Sequence, residues 1–297
     1  MEYDYVPITE RGPLSWPGDK SVALIMTFNL ETWDLTKPTD KPYYAGGPPI
    51  LPATLPGNVP DYPNYSWREY GQRVGIFRLY DLFDELGVAA SCTTNAVTFE
   101  RRAAMTSGCL ERGWELLAHN YEQGELLTDF ADDPEAEADI IQRTLEVYKK
   151  HAGRTAPGWL SSSLRGTMQT ASILAEAGLK GPIVSMPYSN ELNDFTILTR
   201  RGHTTREFRD ILIDELDVLR AEGQKGQARL MNVGLHPHVT GRAYRIRAIR
   251  EFLEYAKSLD DIWWPTREEV ADHYMSVHEA HIPNQLSPDK GTTGGSI

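Results

Sequence analysis

Three stretches of the chain each end a hydrophobic run on side chains that can move protons or hold a polar ligand. They are Val22-Ala-Leu-Ile-Met-Thr-Phe-Asn29-Leu-Glu31, Glu115-Leu-Leu-Ala-His119-Asn-Tyr-Glu-Gln123 and Leu230-Met-Asn-Val-Gly-Leu-His236-Pro-His238. Asn29 and Glu31 are two apart, so on a regular strand both face one side. A carboxylate there can orient or deprotonate water, with burial tuning its pKa for general-base work. It can equally cap the helix or loop that follows. His119 and Gln123 are four apart after a buried run, where a histidine serves as metal ligand, acid–base group or hydrogen-bonded core residue. His236 and His238 flank Pro237, whose fixed φ holds the turn rigid. Any one of these carries little weight. Three strand ends each offering Glu or His point together to a site.

Two further stretches follow short strands. Gly158-Trp159-Leu-Ser161-Ser-Ser-Leu-Arg-Gly166 offers hydroxyls and backbone N–H groups, near 161–163, that could meet an oxyanion. It has no Gly-x-Ser-x-Gly elbow, which argues against a serine hydrolase. Pro187-Tyr188-Ser-Asn-Glu-Leu-Asn193-Asp is polar enough to bind substrate, or to form an Asx-type turn. Tyr43, Tyr44, Trp67, Trp159 and Tyr188 could line a pocket for a flat substrate or belong to the core.

The elements that must position these groups alternate along the chain. The runs at 22–31, 88–94, 115–119, 157–160, 230–235 and 262–264 read as strands. Helices are expected at 66–86, from Pro134 to about Lys150, at 167–177, after the capping box Thr204-Thr-Arg-Glu207, at 243–259 and after Thr266. Such alternation implies a parallel sheet, and the number of units suits an α/β barrel, whose sites lie at the carboxyl ends of the strands. The expected organisation is an N-terminal arm (1–20), a single catalytic barrel (21–282) and a disordered tail (283–297). A long loop (37–65) with eight prolines interrupts the barrel, and we expect it to cover the site or a subunit contact.

The 297 residues, 40% hydrophobic, suffice for one large core. A net charge of −12 makes nucleic acid and anionic membrane surfaces poor partners. Only Cys92 and Cys109 are present, the N-terminus lacks a signal-peptide pattern, and no apolar run reaches spanning length. A cytoplasmic soluble protein is expected.

Several of these motifs together resemble the polysaccharide-deacetylase superfamily, and more closely its branch of metal-independent allantoinases and cyclic imide hydrolases. They are Trp16-Pro-Gly-Asp-Lys, Met26-Thr-Phe-Asn-Leu-Glu, Tyr70-Gly-Gln-Arg-Val-Gly, Ala118-His-Asn-Tyr, Pro157-Gly-Trp and Val233-Gly-Leu-His-Pro-His-Val-Thr-Gly-Arg242. The similarity runs from about Tyr5 to His278. It implies a distorted (β/α) barrel, hydrolysis of a C–N bond and a homotetramer. Typical members use an Asp base, which matches Asn29, and hold a metal with an Asp and two His, which match Glu31, His119 and Gln123. Asn cannot act as a base and Gln is a poor zinc ligand. No metal is therefore expected; were zinc or another divalent ion bound, Glu31, His119 and Gln123 would hold it. Relatives also carry an acidic, aromatic loop where this chain passes abruptly from Lys180 to Gly181.

The resulting expectation is a hydrolase that opens a small cyclic amide, imide or ureide. Glu31 would be the base, and His119 and His236 would polarise the carbonyl or protonate the leaving nitrogen. Asn29, Gln123, Trp159, Ser161, Tyr188 and Asn193 would contact substrate. The alternatives are a metal-dependent deacetylase of an acetylated sugar or linear amide, and a non-catalytic binding protein on the same barrel.

Overall fold

Nine consecutive buried residues, Val22–Leu30, form β1, the strand against which the others are laid. The structure, a computed structural model, describes residues 5–34, 59, 61–179 and 184–282. Most of the 37–65 loop, with Tyr43 and Tyr44, lies outside the described residues, as do the 180–183 junction and the 283–297 tail.

After β1 comes α1 (Tyr62–Tyr70), which passes through a π-helical turn (Gly71–Gly75) into α2 (Ile76–Leu86). There follow β2 (Ser91–Thr94), α3 (Ala96–Arg101), α4 (Ala103–Glu111), β3 (Glu115–Ala118), α5 (Pro134–Ala152) and α6 (Thr170–Glu176). The last third holds α7 (Thr205–Gly223), β4 (Arg229–Leu235), α8 (Ile246–Lys257), β5 (Ile262–Trp263) and α9 (Arg267–His281).

Every strand pairing is parallel. The order is β3-β2-β1-β4, with β5 beside the start of β1 (Val22↔Ile262) and β2 beside its end (Thr27↔Ser91). Single-residue bridges extend both edges, Ala118↔Trp159 beyond β3 and Asn193↔Gly234 beyond β4. The expected α/β barrel is thus present in distorted form, with two of its staves reduced to bridges. Aromatic packing fastens the helices to the sheet, Phe28 meeting Phe83 at 4.8 Å and Trp114 at 5.4 Å between ring centres. The arm before β1 is tied down as well, since the Trp16 indole donates to the Arg229 carbonyl at 2.7 Å. No helix among the described residues is long and apolar enough to cross a membrane.

Both capping boxes form, Thr204 with Glu207 and Thr266 with Glu269. Other boundaries differ from the expectation for local reasons. Asp61 caps α1 by accepting from the Asn64 N–H at 3.1 Å, so the helix begins at Tyr62 and takes the end of the expected loop. Gly87 closes α2 in the left-handed conformation and Val88 donates its N–H back to Phe83, which delays β2 to Ser91. Thr167 and Thr170 direct their hydroxyls to Glu137, holding 167–169 as a loop ahead of α6.

Candidate active site

Glu31, His119 and His236 each lie one residue beyond the carboxyl end of a strand, β1, β3 and β4 respectively. The parallel register brings them together. The Glu31 Oε1 atom is 3.9 Å from His119 Nε2 and 3.7 Å from His236 Nε2. Gln123 donates from Nε2 to the same oxygen at 3.0 Å.

Each group is braced from behind. His119 Nδ1 bonds the Leu160 carbonyl, so that Nδ1 carries a proton and Nε2 is turned toward Glu31. That Nε2 is buried and has no hydrogen-bond partner among the described residues. Asn120 follows with φ 55°, a left-handed turn secured by its side chain, which accepts from Ser162 N–H at 3.2 Å and donates to the Glu125 carbonyl at 2.6 Å. Ser162 Oγ in turn lies 3.1 Å from both the His119 carbonyl and Gln123 Oε1. On the other side, buried Asp194 takes His236 Nδ1 at 2.7 Å, the His236 backbone N–H at 2.8 Å and the Thr240 hydroxyl at 3.0 Å.

The glycines of the Tyr70–Gly75 motif show how the His236-Pro237-His238 turn is held. A Cβ at Gly71 would lie 2.4 Å from His238 N, and one at Gly75 would lie 2.1 Å from the Pro237 carbonyl oxygen. Two glycines at the π-helical turn therefore let the helix touch the turn backbone to backbone. π-Helical turns often mark functional positions. Between the glycines, Gln72 donates to the Glu31 carbonyl at 2.8 Å and accepts from Arg102 at 2.7 Å, fixing the carboxylate-bearing residue from its backbone.

Asn29 joins the site through Tyr188. Its Nδ2 donates to the Tyr188 hydroxyl at 2.9 Å, its Oδ1 accepts from Thr93 at 2.7 Å, and Asn193 Nδ2 reaches the same hydroxyl at 3.1 Å. Tyr188 is pushed up to about 12 by burial and stays a neutral phenol.

These residues enclose a cavity of about 330 Å³, the size for a small molecule. Asn29, Glu31, His119, Gln123 and His236 line it, as do Tyr188 and Asn193. Trp159 and Ser161 are not on its wall; the indole donates to the Ser161 hydroxyl at 3.1 Å instead. Ser163 lines the cavity in their place. Ser163 and Leu164 are consecutive non-glycine residues at φ 55° and 60°, which turns the chain over and brings Ser163 to the wall. The Ser163 hydroxyl is buried without a partner among the described residues. Of the oxyanion donors expected from the 161–163 backbone, the Ser162 N–H is spent on Asn120. His238 is also off the wall. It packs edge-on to Trp67 at 4.7 Å, and burial, together with the neighbouring His236 charge, holds it well below the usual imidazole range.

The charges of the site are set by mutual contact. Burial favours the protonated form of Glu31, but the charge of the neighbouring His236 outweighs it and holds the carboxyl well below its usual range. Burial opposes a charge on His236, but the carboxylates of Asp194 and Glu31 raise it to about 10. At neutral pH the site therefore contains a carboxylate and an imidazolium side by side.

A zinc ion would need three or four good donors. Glu31 and His119 supply two. The Gln123 amide turns its nitrogen to Glu31 and engages its oxygen with Ser162. Among the described residues no group of three His, Cys, Asp or Glu is arranged to hold a metal ion. The donor set does not fit the metal centre of a typical deacetylase.

Sequence motifs alone assign no separate role to the side chains of Asp194, Ser163 and Gln72. Asp194 sits beside Asn193 in a stretch marked as polar, so its position is visible there but its pairing with His236 is not.

No family model matches the chain. A candidate polysaccharide deacetylase of Schizosaccharomyces pombe is 25% identical over 244 residues, 71% of this chain and 75% of its own length. Among solved structures, an allantoinase superposes with a TM-score of 0.80 at 23% identity, covering 94% of this chain and 99% of its own. A candidate polysaccharide deacetylase of Pseudomonas aeruginosa PAO1 superposes with a TM-score of 0.78 at 24% identity, covering 89% and 94%.

Proposed function

We propose that this chain, which shares fold and sequence with the polysaccharide-deacetylase superfamily, hydrolyses a non-peptide C–N bond by opening a small cyclic amide, imide or ureide. The observation that carries the reading is Glu31, braced between His119 and His236 at the end of a small-molecule cavity, with an amide at Gln123 where a metal-binding histidine would stand.

The 3.9 Å between Glu31 Oε1 and His119 Nε2 suits a water that donates one hydrogen bond to each, at about 2.8 Å from both. Its oxygen then attacks the ring carbonyl. Glu31 takes the water proton as the C–O bond forms. The His236 imidazolium and the Ser163 hydroxyl face the oxyanion, and His236 Nε2 passes its proton to the ring nitrogen as the C–N bond breaks. Asp194 keeps His236 oriented and charged until then. Once Glu31 has taken the water proton, one of the negative charges that held the proton on His236 is gone, so His236 is the stronger acid when the C–N bond breaks. Asn29 and Tyr188 hold the rest of the ring by hydrogen bonds.

The test is ring-opening turnover across cyclic imides and ureides, before and after exhaustive chelation. The reading expects turnover that survives metal removal. Turnover that vanishes and returns with zinc would replace it with a metal-dependent amidase built on Glu31 and His119. Ligand binding without turnover of any ring or linear amide would instead indicate a binding protein.

A further inference from the structure

Tyr188 lines the cavity, and its hydroxyl oxygen receives two amide N–H groups, Asn29 Nδ2 at 2.9 Å and Asn193 Nδ2 at 3.1 Å. An oxygen that accepts twice has only its own proton left to offer. We infer that the Tyr188 hydroxyl is a dedicated donor to the bound ligand, and that the ring opened here carries a second carbonyl, distinct from the one attacked, to receive it. That the ligand is a ring rests on the function proposed above; the donor role rests on the contacts of the hydroxyl.

Neither amide can be turned round to reverse these roles. Asn29 Nδ2 also reaches the Leu235 carbonyl at 3.3 Å, and a carbonyl only accepts, so that atom is the nitrogen. Asn193 Oδ1 takes the backbone N–H groups of Phe195 at 2.9 Å and Thr196 at 3.3 Å. Those groups only donate, so the other end of the Asn193 amide, the end that meets Tyr188, is its nitrogen. Among the described residues the one acceptor near the phenol proton is Asn29 Oδ1 at 3.2 Å, an oxygen that Thr93 already serves at 2.7 Å. A carbonyl in the cavity competes with that long contact without breaking either amide bond. The proton is there to give, because burial raises the phenol and keeps it neutral.

The sheet also makes room for this oxygen. A Cβ at Gly234 on β4 would lie 2.6 Å from the Tyr188 hydroxyl and 2.9 Å from Asn193 Nδ2. Glycine at that position lets the phenol reach the amide pair beside the strand. Asn29 lies two residues before Glu31, about 7 Å of extended chain away, and both line the cavity. The phenol held by Asn29 and the carboxylate of Glu31 therefore serve different parts of one ligand. An imide or ureide offers an acceptor to the His236 end and another to Tyr188, whereas a lactam satisfies only one of them. A site built to hydrogen-bond a group discriminates against the analogue that lacks it.

The experiment is titration calorimetry of the full chain carrying Glu31→Gln, which is expected to bind rings without opening them. The probes are succinimide and 2-pyrrolidinone, rings of one size that differ in the second carbonyl. Succinimide is expected to bind about tenfold more tightly, the scale of one hydrogen bond. Adding Tyr188→Phe, which keeps the aromatic ring and removes the hydroxyl, should abolish that preference. Gly234→Ala, which displaces the hydroxyl but leaves it on the chain, should reduce it, and each variant is checked for folding by circular dichroism. A general loss of packing would weaken both probes alike and leave their ratio unchanged. Equal binding of the two probes, or a full preference in either folded variant, overturns the inference even where the wild type opens rings. A preference that depends on Tyr188, with no ring opened by the wild type, upholds the donor and overturns the ring-hydrolase reading instead. No binding of either probe, with no ring opened, overturns both.

Discussion

Glu31 sits where burial alone would make it a stronger base, and His236 where burial alone would strip its proton; the charge of His236 reverses the first, and the carboxylates of Asp194 and Glu31 reverse the second. Glu31→Gln keeps the shape and the hydrogen-bonding capacity but removes the proton acceptor. It is expected to cut ring-opening kcat by about a thousandfold, within the range general-base groups supply, with an unchanged circular dichroism spectrum. Retained turnover would remove Glu31 from the chemistry. The pH profile reads the partner. His236 is charged below its raised pKa, so kcat/KM should fall on the basic side, near pH 10. In Asp194→Asn one of the anions that sustains that charge is gone, the imidazolium is less favoured, and the basic limb should move to lower pH. A limb that stays in place would mean that another group sets it.

At the scale of elements, the two glycines of the π-helical turn are the clearest point of strain-free contact between a helix and the site. Gly75→Ala would place a methyl group 2.1 Å from a backbone oxygen, which no side-chain rotation can relieve. We expect a loss of about 1–3 kcal/mol, the usual cost of overpacking, measured by urea unfolding, and a fall in kcat/KM as the His236–His238 turn shifts. Unchanged stability would show that the helix can move away freely. Long-range contacts of this kind mark the limit of what a sequence conveys. The strand ends at Glu31, His119 and His236 were legible because a parallel strand leaving the core of a barrel produces that signature, an unbroken apolar run followed at once by a polar side chain. The capping boxes were legible because they are local. The pairing of Asp194 with His236 was not, because it depends on where loops from different elements meet. Ser161 was preferred to Ser163 because nothing in Ser-Ser-Ser-Leu announces two successive left-handed residues, and those two residues decide which hydroxyl reaches the cavity.

For the molecule as a whole, the resemblance noted in the sequence suggests assembly, and we propose a homotetramer. Light scattering on the eluting protein should then give four times the chain mass, and a monomeric mass would end that proposal. The acidic balance of the chain favours solubility and repels anions at a distance. The placement of β1 has a different consequence, one of timing. Its partners β4 and β5 begin at Arg229 and Ile262, more than 200 residues further along the chain, and both pairings are parallel. Contacts so distant in sequence are slow to form because loop closure must precede them. As the chain leaves the ribosome, β1 emerges more than 200 residues ahead of β4 and β5, and both its edges are covered only after those strands follow. A strand that ends fully buried is thus left exposed in the meantime, so the yield of active protein should depend on chaperones and on slow production at low temperature more than on the stability of the finished barrel.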